Sequence, residues 1–185
     1  MKAWAVWLTG LPGSGKTATS QEMIKELEKR KIKFEYLSMD EIRKILTPQQ
    51  KYTEEERDYA YRTLILIAKF LTDNGINVII DATAHRKIWR ELARELIPNF
   101  FEIYIKCPID VCMKRESGRK DKLIVNDLYK KALERKAKGK NDKSVGEVVG
   151  VDVPYEEPER PDLVIDSQSL DEVESSKMIL KLLKL

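Results

Sequence analysis

The chain has 185 residues, which suits one domain with room for a substantial core. Charged residues make up 35%, with 34 Lys and Arg against 31 Asp and Glu and a net charge of +3. That balance describes a mixed, solvated surface and lacks the basic excess of a dedicated nucleic-acid binder, although a local basic patch is compatible with it. Cys107 and Cys112, the only cysteines, are too few and too closely spaced for a zinc cluster or a disulfide framework. They read as small apolar packing residues in a reducing compartment. The opening MKAWAVWLTG is too short for a signal peptide and no stretch is apolar enough to span a membrane, so a cytoplasmic location is expected.

In chain order, Ala3 to Leu8 is an apolar run that fits a strand buried on both faces. It leads through a glycine-rich turn into a helix from Gly15 to about Lys31, with Met23, Ile24 and Leu27 on its apolar face. Phe34 to Leu37 reads as a second strand and Glu41 to Leu46 as a short helix, broken at Thr47-Pro48. Thr53 with Glu56 is a helix start signal, and Tyr61, Leu64, Ile65, Ala68 and Leu71 follow at helical spacing up to Asn74-Gly75. Ile76 to Ile80 is a third strand closed by Asp81, Arg86 to Leu96 a helix stopped by Pro98, and Phe100 to Lys106 a fourth strand. Pro108 opens a helix carrying Val111, Cys112 and Arg115. A basic stretch, Arg115 to Lys122, precedes a helix from about Ile124 to Lys138, and Gly139 to Pro161 has loop composition. Asp162 to Ile165 is a fifth strand and Leu170 to Leu185 a closing amphipathic helix. Strands alternate with helices throughout, which predicts a single α/β domain of the P-loop NTPase type: a parallel five-stranded sheet with helices on both faces. A phosphate-covering basic segment at about 115–138 and a substrate loop at about 139–161 belong to that one domain.

The turn after the first strand, Gly10-Leu11-Pro12-Gly13-Ser14-Gly15-Lys16-Thr17, matches G-x-x-x-x-G-K-[ST] in full. Its glycines let several backbone N–H groups point into one concavity that suits phosphate oxygens, and the following helix adds the positive end of its dipole. Lys16 can reach the terminal phosphates of ATP, and the Thr17 hydroxyl can bind Mg²⁺. No guanine-reading N/T-K-x-D sequence follows and the chain is short for a motor ATPase, which leaves a small kinase. Ligands of such sheets lie beyond the strand carboxyl ends. Asp40, after strand two, is the candidate catalytic carboxylate, to orient an acceptor hydroxyl and complete the Mg²⁺ shell, with a helix N-cap as its alternative. Asp81, after strand three, stands where P-loop enzymes carry a second Mg²⁺-directed carboxylate; a cap or turn role is again the alternative. In the basic run of Arg115, Arg119, Lys120 and Lys122, Arg115 is a candidate for cancelling transition-state charge, whereas the lysines read as solvated surface. His85 receives no role.

These residues resemble the adenylylsulfate (APS) kinases, which transfer the ATP γ-phosphate to the 3′-hydroxyl of adenosine 5′-phosphosulfate. The resemblance covers nearly the whole chain: WLTGLPGSGKT, YTEEER at Tyr52 to Arg57, FFEIYIKCPIDVCMKR, LYKKA at Leu128 to Ala132, and DVPYEEPERPDLVID from Asp152 to Asp166. It implies ATP and Mg²⁺ as cofactors and a small anionic nucleotide as substrate, with no membrane, and it leaves a homodimer open. It makes Asp40 the second aspartate of the family's D-G-D, near Mg²⁺ and the acceptor hydroxyl. Arg43 and Arg57 become contacts to the substrate anion, and Tyr52 an aromatic against the substrate adenine.

The chain departs from the family at several points. D-G-D-N reads Ser38-Met39-Asp40-Glu41, so the first aspartate is replaced by serine. The S-P-Y segment reads Ala84-His85-Arg86, and the second adenine-stacking phenylalanine is replaced in Val148-Val149-Gly150. SMDEIR with VIIDATAHR is similar instead to P-loop kinases of polynucleotide 5′-hydroxyls or seryl-tRNA, so a kinase of another hydroxyl, on RNA or a metabolite, is the second reading. A non-catalytic nucleotide sensor is a third, against which Lys16, Thr17 and Asp40 argue.

Overall fold

The computed structural model describes residues 2–49, 52–117, 128–138 and 146–185. Five parallel strands, β1 (Ala5–Thr9), β2 (Phe34–Ser38), β3 (Asn77–Asp81), β4 (Phe100–Lys106) and β5 (Leu163–Asp166), lie in the order β2-β3-β1-β4-β5. The helices between them are α1 (Lys16–Lys29), α2 (Met39–Leu46), α3 (Glu54–Asp73), α4 (Lys87–Leu96), α5 (Ile109–Ser117), α6 (Leu128–Lys138) and α7 (Glu172–Leu182). The α/β architecture expected from the sequence is therefore present. Elements begin and end within three residues of expectation, save that α6 is described only from Leu128 and that residues 118–127 and 139–145, with Arg119, Lys120 and Lys122, lie outside the described residues. Among the described residues no helix is long and apolar enough to cross a membrane.

β1 is buried at every position because both of its faces are covered. Side chains alternate between two cores. Ala5, Trp7, Val78 and Ile80 face α3 and α4, where Tyr61, Leu64 and Trp89 complete one cluster. Val6, Leu8, Ile79, Ile103 and Ile105 face α1 and α7, meeting Met23, Leu27, Ile179 and Leu180. Trp7 can be wholly buried because its indole N–H donates to the Ala82 carbonyl at 2.9 Å.

Two helices, α3 and α7, start at side-chain caps. Thr53 accepts from Glu56 N at 3.2 Å, and Asp171 with Glu174 forms a full capping box on α7. Glu56 does not complete the reciprocal half at Thr53. Its carboxylate accepts instead from Arg43 at 3.0 Å and from Tyr52 N at 3.1 Å, so the residue that signals the helix start in sequence is used to hold a site.

The 152–160 segment, expected only as loop, is pinned across the carboxyl ends of the strands. Tyr155 OH shares a 2.8 Å hydrogen bond with Thr9 Oγ1, and Glu156 N donates to His85 O at 2.8 Å. Arg90 anchors it from beneath. This α4 arginine is 1% exposed and donates to Glu102 Oε1 at 2.6 Å, to the Glu156 carbonyl at 2.6 Å and to the Ala84 carbonyl. Breaking a buried pair strands its partner, so Arg90→Ala should cost about 3–5 kcal/mol of unfolding free energy. Urea denaturation reads this directly; a loss no larger than that of an ordinary surface substitution would show that the pair carries no such weight.

Candidate active site

The glycine-rich turn is shaped by what presses on it. An ideal Cβ at Gly10 would stand 2.4 Å from the Ile105 carbonyl oxygen, and one at Gly13 2.6 Å from that of Cys112. With φ of 148° and 80°, both positions require glycine on two counts. The loop is thus wedged between β4 and α5, and it runs directly into the first turn of α1. Lys16, at the first position of α1, folds back and donates to the carbonyls of Gly10 at 3.0 Å and Leu11 at 2.9 Å. From the other side, Tyr129 of α6 donates its hydroxyl to the Pro12 carbonyl at 2.8 Å.

Beside the loop, Thr17 Oγ1 donates to Asp81 Oδ2 at 2.6 Å, and Tyr36 OH donates to the same oxygen at 2.9 Å. Asp81 is the last residue of β3, and it is buried. The register sets it level with Leu8 of β1 and Ser38 of β2. The carboxylate absent at Ser38 is therefore matched by one on the adjacent strand. Burial and the Asp81 charge raise the Tyr36 phenol well above the ordinary tyrosine range. Asp40 sits in the first turn of α2 and is exposed. Its N-cap alternative is not realised, because Ser38 occupies that position. Its charge also raises the Tyr36, Tyr52 and Tyr61 phenols behind larger causes, and it shares α2 with Arg43 three residues on.

Arg43, Tyr52 and Arg57 are brought together on that side. Both arginines are buried, and their guanidinium carbons lie 5.1 Å and 5.7 Å from the Tyr52 ring centroid. Arg43 NH1 binds Glu56, while Arg57 donates Nε to the Tyr52 carbonyl at 3.0 Å and NH2 to the Glu147 carbonyl at 2.6 Å. Burial lowers the Arg57 pKa, and burial raises that of Tyr52. Tyr52 holds a left-handed φ of 56°, and an ideal Cβ on Gly146 would overlap its ring at 2.3 Å, so backbone covers one part of the ring. His85, which has no role assignable from local pattern, is buried under this cluster with Nε2 3.4 Å from Glu54 Oε1 and an edge-to-face contact to Trp89. Burial and the Arg57 charge depress its pKa to about 4.

Arg115 lies on the opposite flank of the loop. Its guanidinium donates to Ser167 Oγ at 3.1 Å, to the Ser167 carbonyl at 2.6 Å and, more weakly, to the Ser14 carbonyl at 3.4 Å. It forms one wall of a groove of about 580 Å³ lined by Gly13, Gly15, Thr19, Gln168 and the start of α7. Cys107 and Cys112 are buried free thiols beneath it, and burial pushes Cys112 up to about 12. This agrees with a packing role. Sequence reasoning did not single out Tyr36, Ser167 or Tyr129 as site residues; only Tyr129 stood inside a noted motif.

The family model for adenylylsulphate kinase matches residues 2–166. A probable adenylyl-sulfate kinase of Archaeoglobus fulgidus is 36% identical over 169 residues, covering 91% of this chain and 99% of the relative. One of Pyrococcus abyssi is 33% identical over 181 residues, covering 98% and 95%. Among solved structures, the APS kinase CysC of Mycobacterium tuberculosis in complex with AMPPNP and APS superposes with a TM-score of 0.83 at 26% identity, covering 100% of this chain and 99% of that one. The chain belongs to the adenylylsulphate kinase family.

The buried imidazole has a consequence for acid stability. His85 stays neutral in the folded protein down to about pH 4, whereas an unfolded histidine takes up a proton near 6.5. Below 6.5 the unfolded state therefore binds more protons, and stability falls as pH drops from about 6.5 toward 4. Urea midpoints at pH 7.5 and 5.0 should differ less in His85→Gln than in the parent. Equal differences would assign the acid sensitivity to other groups.

Proposed function

We propose that this member of the adenylylsulphate kinase family transfers the γ-phosphate of ATP to the 3′-hydroxyl of adenosine 5′-phosphosulfate. The observation that carries the reading is the juxtaposition of two parts. A complete phosphate-binding loop with its Thr17–Asp81 contact stands on one side, and the Arg43–Tyr52–Arg57 cluster stands on the other, with Asp40 in the first turn of the helix that carries Arg43.

The donor nucleotide's phosphates take the loop N–H groups, and Lys16 exchanges its two carbonyl partners for phosphate oxygens. The groove walled by Arg115 and Ser167 receives the nucleoside end, and Arg115 sits close enough to the loop rim to offset negative charge on the phosphates. Thr17, Asp81 and Asp40 offer the hard oxygen donors that suit Mg²⁺, which when bound supplies charge neutralisation at the phosphates. Asp40 orients the acceptor hydroxyl and takes its proton as the new oxygen–phosphorus bond forms and the bond from the γ-phosphorus to the departing ADP oxygen breaks. Arg43 and Arg57 keep guanidinium N–H groups beyond those already bonded, suited to the sulfate and phosphate oxygens of the acceptor.

With APS and Mg-ATP, the 3′-phosphorylated product should accumulate with ADP in equal amounts, as read by ion-pair chromatography. No product at millimolar APS, alongside robust transfer to an RNA end or another alcohol, would overturn the acceptor assignment. Asp40→Asn keeps the shape and removes the charge. It should lower turnover by about 10²-fold or more while ATP binding is little changed, whereas Arg57→Ala should raise the acceptor KM more than the ATP KM. Equal effects on both KM values would remove Arg57 from the acceptor site.

A further inference from the structure

We propose that Tyr36 is a positioning residue for the metal-directed carboxylate, holding Asp81 in the orientation that Thr17 and the bound nucleotide require. This rests on the assignment of Thr17 and Asp81 to Mg²⁺ made above. Among the described residues, the hydrogen bonds that reach the Asp81 side chain both end on Oδ2, one from Thr17 at 2.6 Å and one from Tyr36 at 2.9 Å. Two donors on one carboxylate oxygen, from α1 and from β2, restrain the group's rotation. The other oxygen, Oδ1, is thereby presented to whatever lies beyond the strand ends. Thr17 gains in the same way: with its only hydroxyl proton directed at Asp81, its oxygen lone pairs face away, as a cation ligand needs.

The backbone explains why residue 36 can do this. Strand alternation puts Tyr36 and Ile79 on the sheet face that α1 covers, and Asp81, two residues beyond Ile79, shares that face. Thr17 comes to the same face from the first turn of α1. The Tyr36 ring packs against the α1-side core, where a phenylalanine would serve equally for packing. The hydroxyl is the atom that packing does not explain, and it is spent on Asp81. Partners of this kind, one bond removed from a metal, tune affinity by orienting the ligand.

The test compares Tyr36→Phe, which removes one oxygen and keeps the ring, with Asp81→Asn. Mn²⁺ affinity is read by electron paramagnetic resonance on the protein saturated with a non-hydrolysable ATP analogue. The Mg²⁺ dependence of turnover and the melting temperature are read beside it. Tyr36→Phe should weaken Mn²⁺ binding by about tenfold or more and raise the Mg²⁺ needed for half-maximal turnover, leaving metal-free nucleotide affinity unchanged. If Asp81→Asn weakens Mn²⁺ binding and Tyr36→Phe lowers only the melting temperature, Tyr36 is a packing residue and this inference falls alone. If Asp81→Asn leaves Mn²⁺ affinity unchanged, the metal assignment of Asp81 falls and takes the role of Tyr36 with it.

Discussion

The hydrogen bond from Thr17 to Asp81 joins the first turn of α1 to the end of β3, and it exists only because the sheet is in register. Asp81 lies opposite Leu8 on β1 and Ser38 on β2, so three strands end level around the phosphate-binding loop. A slip of β3 by one residue would move Asp81 to the other face and carry Ile79 and Ile80 into each other's cores. Each of those isoleucines is fully buried, at a worth of roughly 1.5–3 kcal/mol. The apolar cores thus fix where the carboxylate stands. Site geometry here is a by-product of hydrophobic sorting, refined by the Tyr36 and Thr17 hydroxyls.

Three buried arginines separate structural from functional charge. Arg90 is matched by the Glu102 carboxylate and two carbonyls, and its work is to lash the 154–157 segment to the sheet. Arg43 has Glu56 and the Tyr52 ring. Arg57 has the carbonyls of Tyr52 and Glu147 but no carboxylate at ion-pair distance among the described residues, and burial lowers its pKa. A desolvated guanidinium whose direct partners are carbonyls and a ring, with carboxylates only at longer range, is costly. Its natural complement is an anion arriving from solution, which is the acceptor proposed above.

Most of the fold was legible in the sequence because it depends on local patterns. Apolar runs gave the strands, threonine with glutamate gave the start of α3, and the loop motif needed no tertiary information. Asp81 was legible as the carboxylate that ends the apolar strand NVIID. What escaped depends on pairings distant in sequence. Tyr129 reaches Pro12 from 117 positions away, and Tyr36 reaches Asp81 from 45. Arg90 looked like any basic residue on an amphipathic helix, and nothing local says that β4 would offer Glu102 to it. Glu56 was read from its spacing as half of a capping box, yet the ion pair with Arg43 outweighed that use.

Val148 shows how a departure from the family pattern is absorbed. The resemblance puts a base-stacking phenylalanine at this point, but Val148 is 2% exposed and packs inward with Cys107, Cys112, Tyr129 and Ala132. Its N–H is held by Asp152 Oδ2 at 2.8 Å, and the preceding carbonyl takes Arg57. The residue is therefore a core member under α6 rather than a shortened wall of the site. A lost stacking ring forgoes on the order of 1–3 kcal/mol per base. Tyr52 cannot make this up with both faces, since Gly146 backbone already lies against its ring. On the proposed function, acceptor affinity then leans on Arg43 and Arg57 and on charge more than on stacking. The orientation of Arg57 is set by the Glu147 carbonyl next to Val148, so the packing that replaced the aromatic also holds in place the guanidinium that takes over from it.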